Sequence, residues 1–215
     1  MARPHEVWSV ERRDRPRLTG AGWFHRFCEL YDSSAGSLLT ELGIFYDRHR
    51  KFVEHGQLSD PSNPEYTDGE WNRVMATVLG ELAGEMGLVQ APDPECRGQL
   101  EWYLPGVTDR PSVVIRSVSE ATNEMLTRDL VELSRFRSNL SVFVMYPDYP
   151  VPEGSSTFDG AVREWRRRIQ RRLAELRPER ELVTLMISAY SFDVPAPWRG
   201  YLWNRASASL EPLPR

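Results

Sequence analysis

One stretch decides the fold of this chain: Gln99 to Tyr146, which reads QLEWYLPGVTDRPSVVIRSVSEATNEMLTRDLVELSRFRSNLSVFVMY. Residues 99–104 alternate roughly between polar and apolar, as a half-buried strand does, and residues 112–118 form a second strand pattern. Apolar residues then recur at helical spacing between Thr122 and Arg137. The nearly continuous apolar run 140–146 is typical of a strand covered on both faces. The order strand, strand, helix, strand therefore stands at the centre of an α/β domain.

A second helix and strand follow this segment. Val162, Trp165, Ile169, Leu173 and Leu176 form the apolar stripe of a helix predicted over 159–177. Residues 182–190 form another buried-type strand, and the short strand 201–204 is predicted on the sheet edge. Strands that alternate with crossover helices indicate a parallel or mixed sheet flanked by helices.

The N-terminal third adds helices to this core. Residues 1–20 are charged and contain prolines, and we interpret them as an arm. Apolar spacing predicts a helical region over 21–56 and an amphipathic helix over 69–86. No low-complexity linker divides the chain, so we predict one domain over 1–215 with its α/β core at 69–205.

The amino-acid composition limits the kinds of function that we expect for this chain. Hydrophobic residues make up 40% and charged residues 27% of the chain, and the net charge of −4 creates no global attraction to nucleic acid or anionic membrane. The sequence contains neither a signal peptide nor an apolar run of membrane-spanning length, so we predict a cytoplasmic protein without a membrane partner. It contains no phosphate-loop motif, so we predict no nucleotide cofactor. Lys51 is the only lysine beside 26 arginines, which indicates a GC-rich bacterial genome or, alternatively, phosphate recognition.

The order of acidic residues and elements in the core carries a family resemblance. Glu81 and Glu85 lie on the predicted helix 69–86, Glu101 lies on the first strand, and Ile115 to Glu120 closes the second strand. This arrangement resembles the restriction-endonuclease-like family, the PD-(D/E)XK nucleases, over residues 69–146. The resemblance implies a restriction-endonuclease-like core with additional N-terminal helices.

The same resemblance implies a site that holds Mg²⁺ between carboxylates of neighbouring strands, beside a lysine that assists the attacking water. Glu101 matches the first acid of the family. Arg116 stands at the position of the second acid, and Val118 stands at the position of the lysine. A cation at the second-acid position repels Mg²⁺.

Three interpretations of these acids follow. In the first, the fold is kept and the catalytic site is lost. In the second, the site has migrated: Glu85, Glu101 and Glu120 are catalytic with help from Arg116, and Glu101 and Glu120 bind Mg²⁺. In the third, the helix and loop acids Glu81, Glu85 and Glu120 simply face solvent.

Arginines crowd the outer arc of the predicted helix 159–177. Those predicted to contact nucleic acid are Arg163, Arg167, Arg168, Arg171 and Arg172. Such an arc could follow a phosphate backbone. A solvated face is the alternative, since Glu164 and Glu175 lie among these arginines, and a protein-binding surface is another.

The functional hypothesis is therefore a non-catalytic nuclease-fold protein, or pseudoenzyme, that needs no cofactor. It would bind a partner protein or nucleic acid as an accessory or regulatory subunit. The alternatives are a Mg²⁺-dependent nuclease with a migrated carboxylate site, and an interaction module unrelated to nucleases. A homodimer is compatible with each of them.

Overall fold

A computed structural model describes residues 19–33, 76–91, 99–107, 109–118, 122–147, 157–188 and 198–215. Helix α1 covers 20–33 and helix α2 covers 76–85. The remaining elements, in chain order, are β1 (Val89–Gln90), β2 (Gln99–Tyr103), β3 (Val113–Val118), α3 (Asn123–Arg135), β4 (Leu140–Met145), α4 (Phe158–Leu176), β5 (Glu181–Ile187), β6 (Trp198–Asn204) and β7 (Ser209–Pro212). None of the helices in these ranges combines the length and the apolar character needed to cross a bilayer.

The seven strands form one mixed sheet whose strand order equals the chain order, β1 to β7. β3, β4 and β5 are parallel to their neighbours within this group, while β1, β2, β6 and β7 pair antiparallel. The two parallel connections run through α3 and α4. The structure thereby confirms the predicted α/β class with a mixed sheet flanked by helices.

Side chains alternate between the two faces of the sheet, as the period of a strand requires. On β3, Val113 and Ile115 contact one apolar cluster, whereas Val114 and Val118 contact the other. α1 and α2 cover the first face, and α3 and α4 cover the second. We call these the α1–α2 layer and the α3–α4 layer.

Threonine caps start both helices of the α3–α4 layer. The side chain of Thr122 accepts a hydrogen bond from the backbone N–H of Met125, and Thr157 accepts one from that of Gly160. At its other end α4 stops at Arg177, whose left-handed backbone (φ 49°) breaks the helix. The stripe Val162, Trp165, Ile169 and Leu173 is buried, as predicted for this helix.

A close contact fixes α1 against the sheet. A Cβ atom at Gly200 on β6 would lie 2.4 Å from the Phe24 ring of α1, so this contact requires glycine. Nearby, the indole Nε1 of Trp198 donates a hydrogen bond to the buried Cys28 Sγ at 2.9 Å. The amphipathic α1 helix is therefore part of the core.

Two details differ from the sequence prediction. The strand expected at 201–204 on the sheet edge is longer, Trp198–Asn204, and lies inside the sheet, because β7 pairs with its outer side. β1 and β7 were not predicted. The arm 1–18 and the helical prediction over 34–56 lie outside the described residues.

Candidate functional site

Glu101 lies on β2 and faces the α3–α4 layer. Its neighbours Leu100 and Trp102 pack toward the α1–α2 layer, so alternation directs Glu101 to the opposite face. The Tyr103 hydroxyl donates a hydrogen bond to Glu101 Oε2 at 2.5 Å. This bond raises the pKa of Tyr103 to about 12, so Tyr103 stays protonated at neutral pH and holds the carboxylate.

Arg116 lies on β3 and faces the same layer as Glu101. Its Nε and Nη2 atoms donate to Asp129 Oδ1 on α3 at 3.0 and 2.7 Å. Nη2 also lies 2.7 Å from Glu132 Oε2. The Asp129 side chain is only 3% exposed and that of Arg116 is 17% exposed. Arg116, at the position where the resemblance implies a second acid, is thus a guanidinium that two carboxylates neutralise.

Glu85 ends α2 and takes part in a surface ion pair. Arg26 of α1 donates from Nε to Glu85 Oε2 at 2.6 Å and from Nη2 to Oε1 at 2.5 Å. These bonds lower the pKa of Glu85. Both helices belong to the α1–α2 layer, and the sheet therefore separates Glu85 from Glu101.

The structure brings only part of the predicted carboxylate site together. Glu101 and Arg116 share one face of the sheet, whereas Glu85 lies on the other. Glu120 lies outside the described residues. Among the residues that are described, no three His, Cys, Asp or Glu side chains are grouped so that they could hold a metal ion. The Mg²⁺ site at Glu101 and Glu120 stays a prediction.

A groove of about 430 Å³ runs between α3 and α4. Asn123, Leu126 and Thr127 of α3 line one wall. The other wall is α4, with four arginines and two glutamates: Arg167, Arg168, Arg171, Arg172, Glu164 and Glu175. Four of the five arginines that sequence predicts to contact nucleic acid therefore line one concave surface.

Short-range ion pairs order most of these guanidiniums. Glu164 accepts hydrogen bonds from Arg167 and Arg168, which lower its pKa to about 2. The guanidinium carbon of Arg168 lies 4.7 Å from the centre of the Trp165 ring, and Arg172 pairs with Glu175. Arg167, Arg168 and Arg172 therefore each have a partner on α4 itself.

Arg163 and Arg171 differ from these paired side chains. Both are exposed, and neither has a carboxylate partner among the described residues. Arg166, in contrast, donates to the carbonyl of Leu210 and stacks on Tyr201. It ties α4 to the sheet and takes no part in the groove.

No family model matches this chain, and no curated protein matches it significantly. The function must therefore be inferred from the described residues.

Asp129 and Glu132 are the site residues that sequence reasoning missed. Asp129 lies within the apolar stripe of α3, between Leu126, Leu130 and Leu133, all of which are buried. A carboxylate in such a stripe needs a cationic partner, because a buried charge is costly unless it is paired. That signal was present in the sequence and points to Arg116.

Proposed function

We propose that this protein is a non-catalytic nucleic-acid-binding module on a restriction-endonuclease-like core. The observation that carries the proposal is the α3–α4 groove, which is lined by four arginines against two glutamates. It gives a chain of net charge −4 a local surface on which guanidiniums outnumber carboxylates. Phosphate oxygens are the ligands that such a surface favours, since guanidinium binds them with two parallel hydrogen bonds.

The glutamates within the groove do not oppose this proposal strongly. Ion pairs at spacings of three and four along an exposed helix contribute only about 0.3–0.5 kcal/mol. Exchanging the Arg167–Glu164 or Arg172–Glu175 contact for a phosphate contact therefore costs little. Before a phosphate binds, these Arg–Glu ion pairs restrict the guanidiniums and so reduce the conformational entropy that is lost on binding.

The element order supports a nuclease-like core. From α2 through β2, β3 and α3 to β4 the chain runs helix, strand, strand, helix, strand, with the short β1 preceding β2. This is the order that the resemblance implies. Strands β2 and β3 carry Glu101 and Arg116 on one face.

The surroundings of Arg116 favour loss of catalysis. Its ion pair with the buried Asp129 leaves a neutralised guanidinium at the position where the resemblance implies a metal-binding acid. Val118, at the lysine position, is 4% exposed and packs in the apolar cluster of the α3–α4 layer. Both positions now serve packing of α3 on the sheet.

Fluorescence anisotropy with labelled 20-nucleotide single strands and duplexes tests the binding proposal. We expect log K to fall linearly with log of the salt concentration, because phosphate contacts release counterions. The double variant R167E/R171E should weaken binding at least about tenfold, since each lost charge-assisted contact is worth roughly a factor of ten or more.

Arg205 offers a matched control. It is exposed in the turn between β6 and β7 and does not line the groove. R205E changes the net charge in the same direction and should alter affinity only slightly. Equal losses in R205E and R167E/R171E, or no binding by the wild type at low salt, would contradict the proposal and favour a protein partner.

A separate assay addresses catalysis. Incubation of the wild type with plasmid and with single-stranded substrates in Mg²⁺ or Mn²⁺ should yield no cleavage. Cleavage that is abolished by E101Q would overturn the non-catalytic part of the proposal and establish the migrated-site nuclease. Calorimetric titration with Mn²⁺ should release no heat of binding.

A further inference from the structure

A second basic surface lies beyond the end of the α3–α4 groove. It is a recess of about 530 Å³ at the end of the sheet where α3 and α4 stop and β4 and β5 begin. Five arginines line it: Arg110, Arg135, Arg137, Arg177 and Arg180. We call it the arginine recess.

The charges of the arginine recess are not balanced. Glu179 is its only carboxylate-bearing lining residue, so five guanidiniums face one acid. Arg135, Arg137, Arg177 and Arg180 make no hydrogen bond or ion pair through their side chains to any residue in the described ranges. Most other arginines of the chain that the structure describes, such as Arg167, Arg168 and Arg172 of the groove, have carboxylate partners.

Helix ends explain only part of this cluster. Arg135 ends α3 and Arg177 caps α4, and cations stabilise a helix at its C-terminus. Arg137 and Arg180 lie outside both helices. Their positive charges, held near two others, repel one another and lack a structural benefit in the free protein.

The walls of the arginine recess are firmly held. Arg110 donates from Nε to the carbonyl of Arg137 at 2.7 Å and from Nη2 to Asn139 Oδ1 at 3.2 Å. The backbone N–H groups of Asn139 and Leu140 both donate to the carbonyl of Ser112. The backbone segment that carries Arg137 is thereby fixed to the loop that carries Arg110.

The floor of the arginine recess is apolar. Leu133, Leu182 and Pro178 are buried there, while Phe136 and Leu176 are half-buried. A guanidinium rim above such a floor excludes competing cations and strengthens electrostatic attraction to an anion. A volume of about 530 Å³ accepts a group larger than a single water-solvated ion.

We propose that the arginine recess is a binding site for a phosphate group that carries two or more negative charges, such as a terminal phosphate monoester or a pyrophosphate unit. Arg137 and Arg180 bind its oxygens from the two sides, and Arg135 and Arg177 add charge from the helix ends. The phosphate belongs either to a free polyphosphate or to the end of a nucleic-acid strand. The site does not depend on whether the groove binds nucleic acid.

Calorimetric titration with sodium pyrophosphate tests the proposal. We expect one molecule to bind per chain, and binding to weaken at least about tenfold in R137Q/R180Q, because two charge-assisted contacts are lost. R167Q/R171Q removes the same charge from the groove and should leave pyrophosphate binding unchanged. Arg137 and Arg180 line the recess and Arg167 and Arg171 line the groove. All four are exposed, so both double variants should remain folded by circular dichroism.

Two further ligands distinguish the sources of the phosphate. A 5′-phosphorylated oligonucleotide that binds more tightly than its 5′-hydroxyl counterpart, with the preference lost in R137Q/R180Q, identifies a strand end. Equal binding of the two oligonucleotides, with pyrophosphate binding retained, identifies a free polyphosphate.

Failure of this proposal differs from failure of the proposed function. An absence of pyrophosphate binding at millimolar concentration, or equal weakening in both double variants, overturns the phosphate site while groove binding to oligonucleotides stands. Pyrophosphate binding without any oligonucleotide binding leaves the phosphate site in place and removes the groove.

Discussion

Arg116 on β3 and Asp129 on α3 join the sheet to its covering helix through two hydrogen bonds, at 3.0 and 2.7 Å, to one carboxylate oxygen. Glu132, one turn along α3, completes the partnership at 2.7 Å. The pair lies beneath the helix, where water is largely excluded. It defines how α3 sits over the two strands on which a nuclease of this type would keep its acids.

Breaking this pair should destabilise the protein strongly. Asp129→Asn removes the buried charge that pairs with Arg116 while Glu132 still neutralises the guanidinium, and we expect a loss of about 1–3 kcal/mol, the cost of weakening a buried charge-assisted hydrogen bond. Urea unfolding followed by circular dichroism measures the change. E132Q is the matched control: its partner is shared and Glu132 is 40% exposed, so we expect a loss below about 1 kcal/mol.

Replacing both members of the pair should restore most of the lost stability. In R116M/D129V two apolar side chains of roughly similar combined volume fill the same space, and such replacements of buried ion pairs are often neutral. If the double variant is as unstable as D129N, the pair has a structural role that packing alone does not reproduce.

Introducing a lysine at position 118, where the nuclease resemblance implies one, should destabilise the protein. Val118 is buried in the apolar cluster of the α3–α4 layer, and Val118→Lys places an ammonium group there. Burial lowers the pKa of a lysine. Its destabilising effect is therefore greatest below the folded-state pKa and diminishes as pH rises toward about 10.4, the ordinary value. Unfolding midpoints at pH 7 and pH 9.5 measure this. V118M controls for size, and its effect should not vary with pH.

Gly200 and Gly80 should respond to alanine in opposite directions. A Cβ at Gly200 would overlap the Phe24 ring at 2.4 Å, so Gly200→Ala should cost about 1–3 kcal/mol through forced displacement of α1. At Gly80 on α2 a Cβ meets nothing within 4 Å among the described residues. Gly80→Ala should therefore stabilise the helix by about 0.5–1 kcal/mol. Thermal unfolding of the two variants decides, and equal effects would contradict the packing of α1.

The stability that the ion pairs of Glu164 contribute should depend on pH. Its pKa falls from an ordinary 4.5 to about 2 because Arg167 and Arg168 donate to it. A carboxylate with a depressed folded-state pKa contributes stability above its unfolded-state pKa and loses it as pH falls through the folded-state value. The difference in the free energy of unfolding between wild type and Glu164→Gln should thus be largest above pH 4.5 and should decrease as the pH falls toward 2. A difference that stays constant from pH 6 to pH 2.5 would exclude the ion pairs at Glu164.

The sequence predicted most of the central elements, because their patterns are strong. β4 is apolar at nearly every position, and α4 has an uninterrupted stripe from Val162 to Leu173. β7 was not predicted, because only Leu210 of its four residues is buried and the strand therefore lacks an alternating apolar pattern. With two residues, β1 is too short to show any periodicity.

The candidate sites were harder to predict than the fold. Apolar Leu100 and Trp102 indicate that Glu101 faces away from them, but no sequence pattern says which layer the preceding helix covers. The separation of Glu85 from Glu101 by the sheet therefore required coordinates. The arginine recess joins segments near residues 110, 137 and 180, which the parallel alignment of β3, β4 and β5 brings together.

The order of the strands has a consequence for how the chain acquires its structure. Since each strand in the described ranges pairs with the next of these strands in sequence, the sheet can grow from one edge while the polypeptide is being synthesised, and none of these strands needs to insert between two others. Helix α1 makes contacts over a much longer separation. Its contacts at Glu181, Trp198 and Gly200 lie more than 160 residues downstream. Although α2 and the earlier strands contribute to the same apolar cluster, the part of α1 that packs on β6 stays uncovered until β6 is complete, and during this interval it is open to unwanted association.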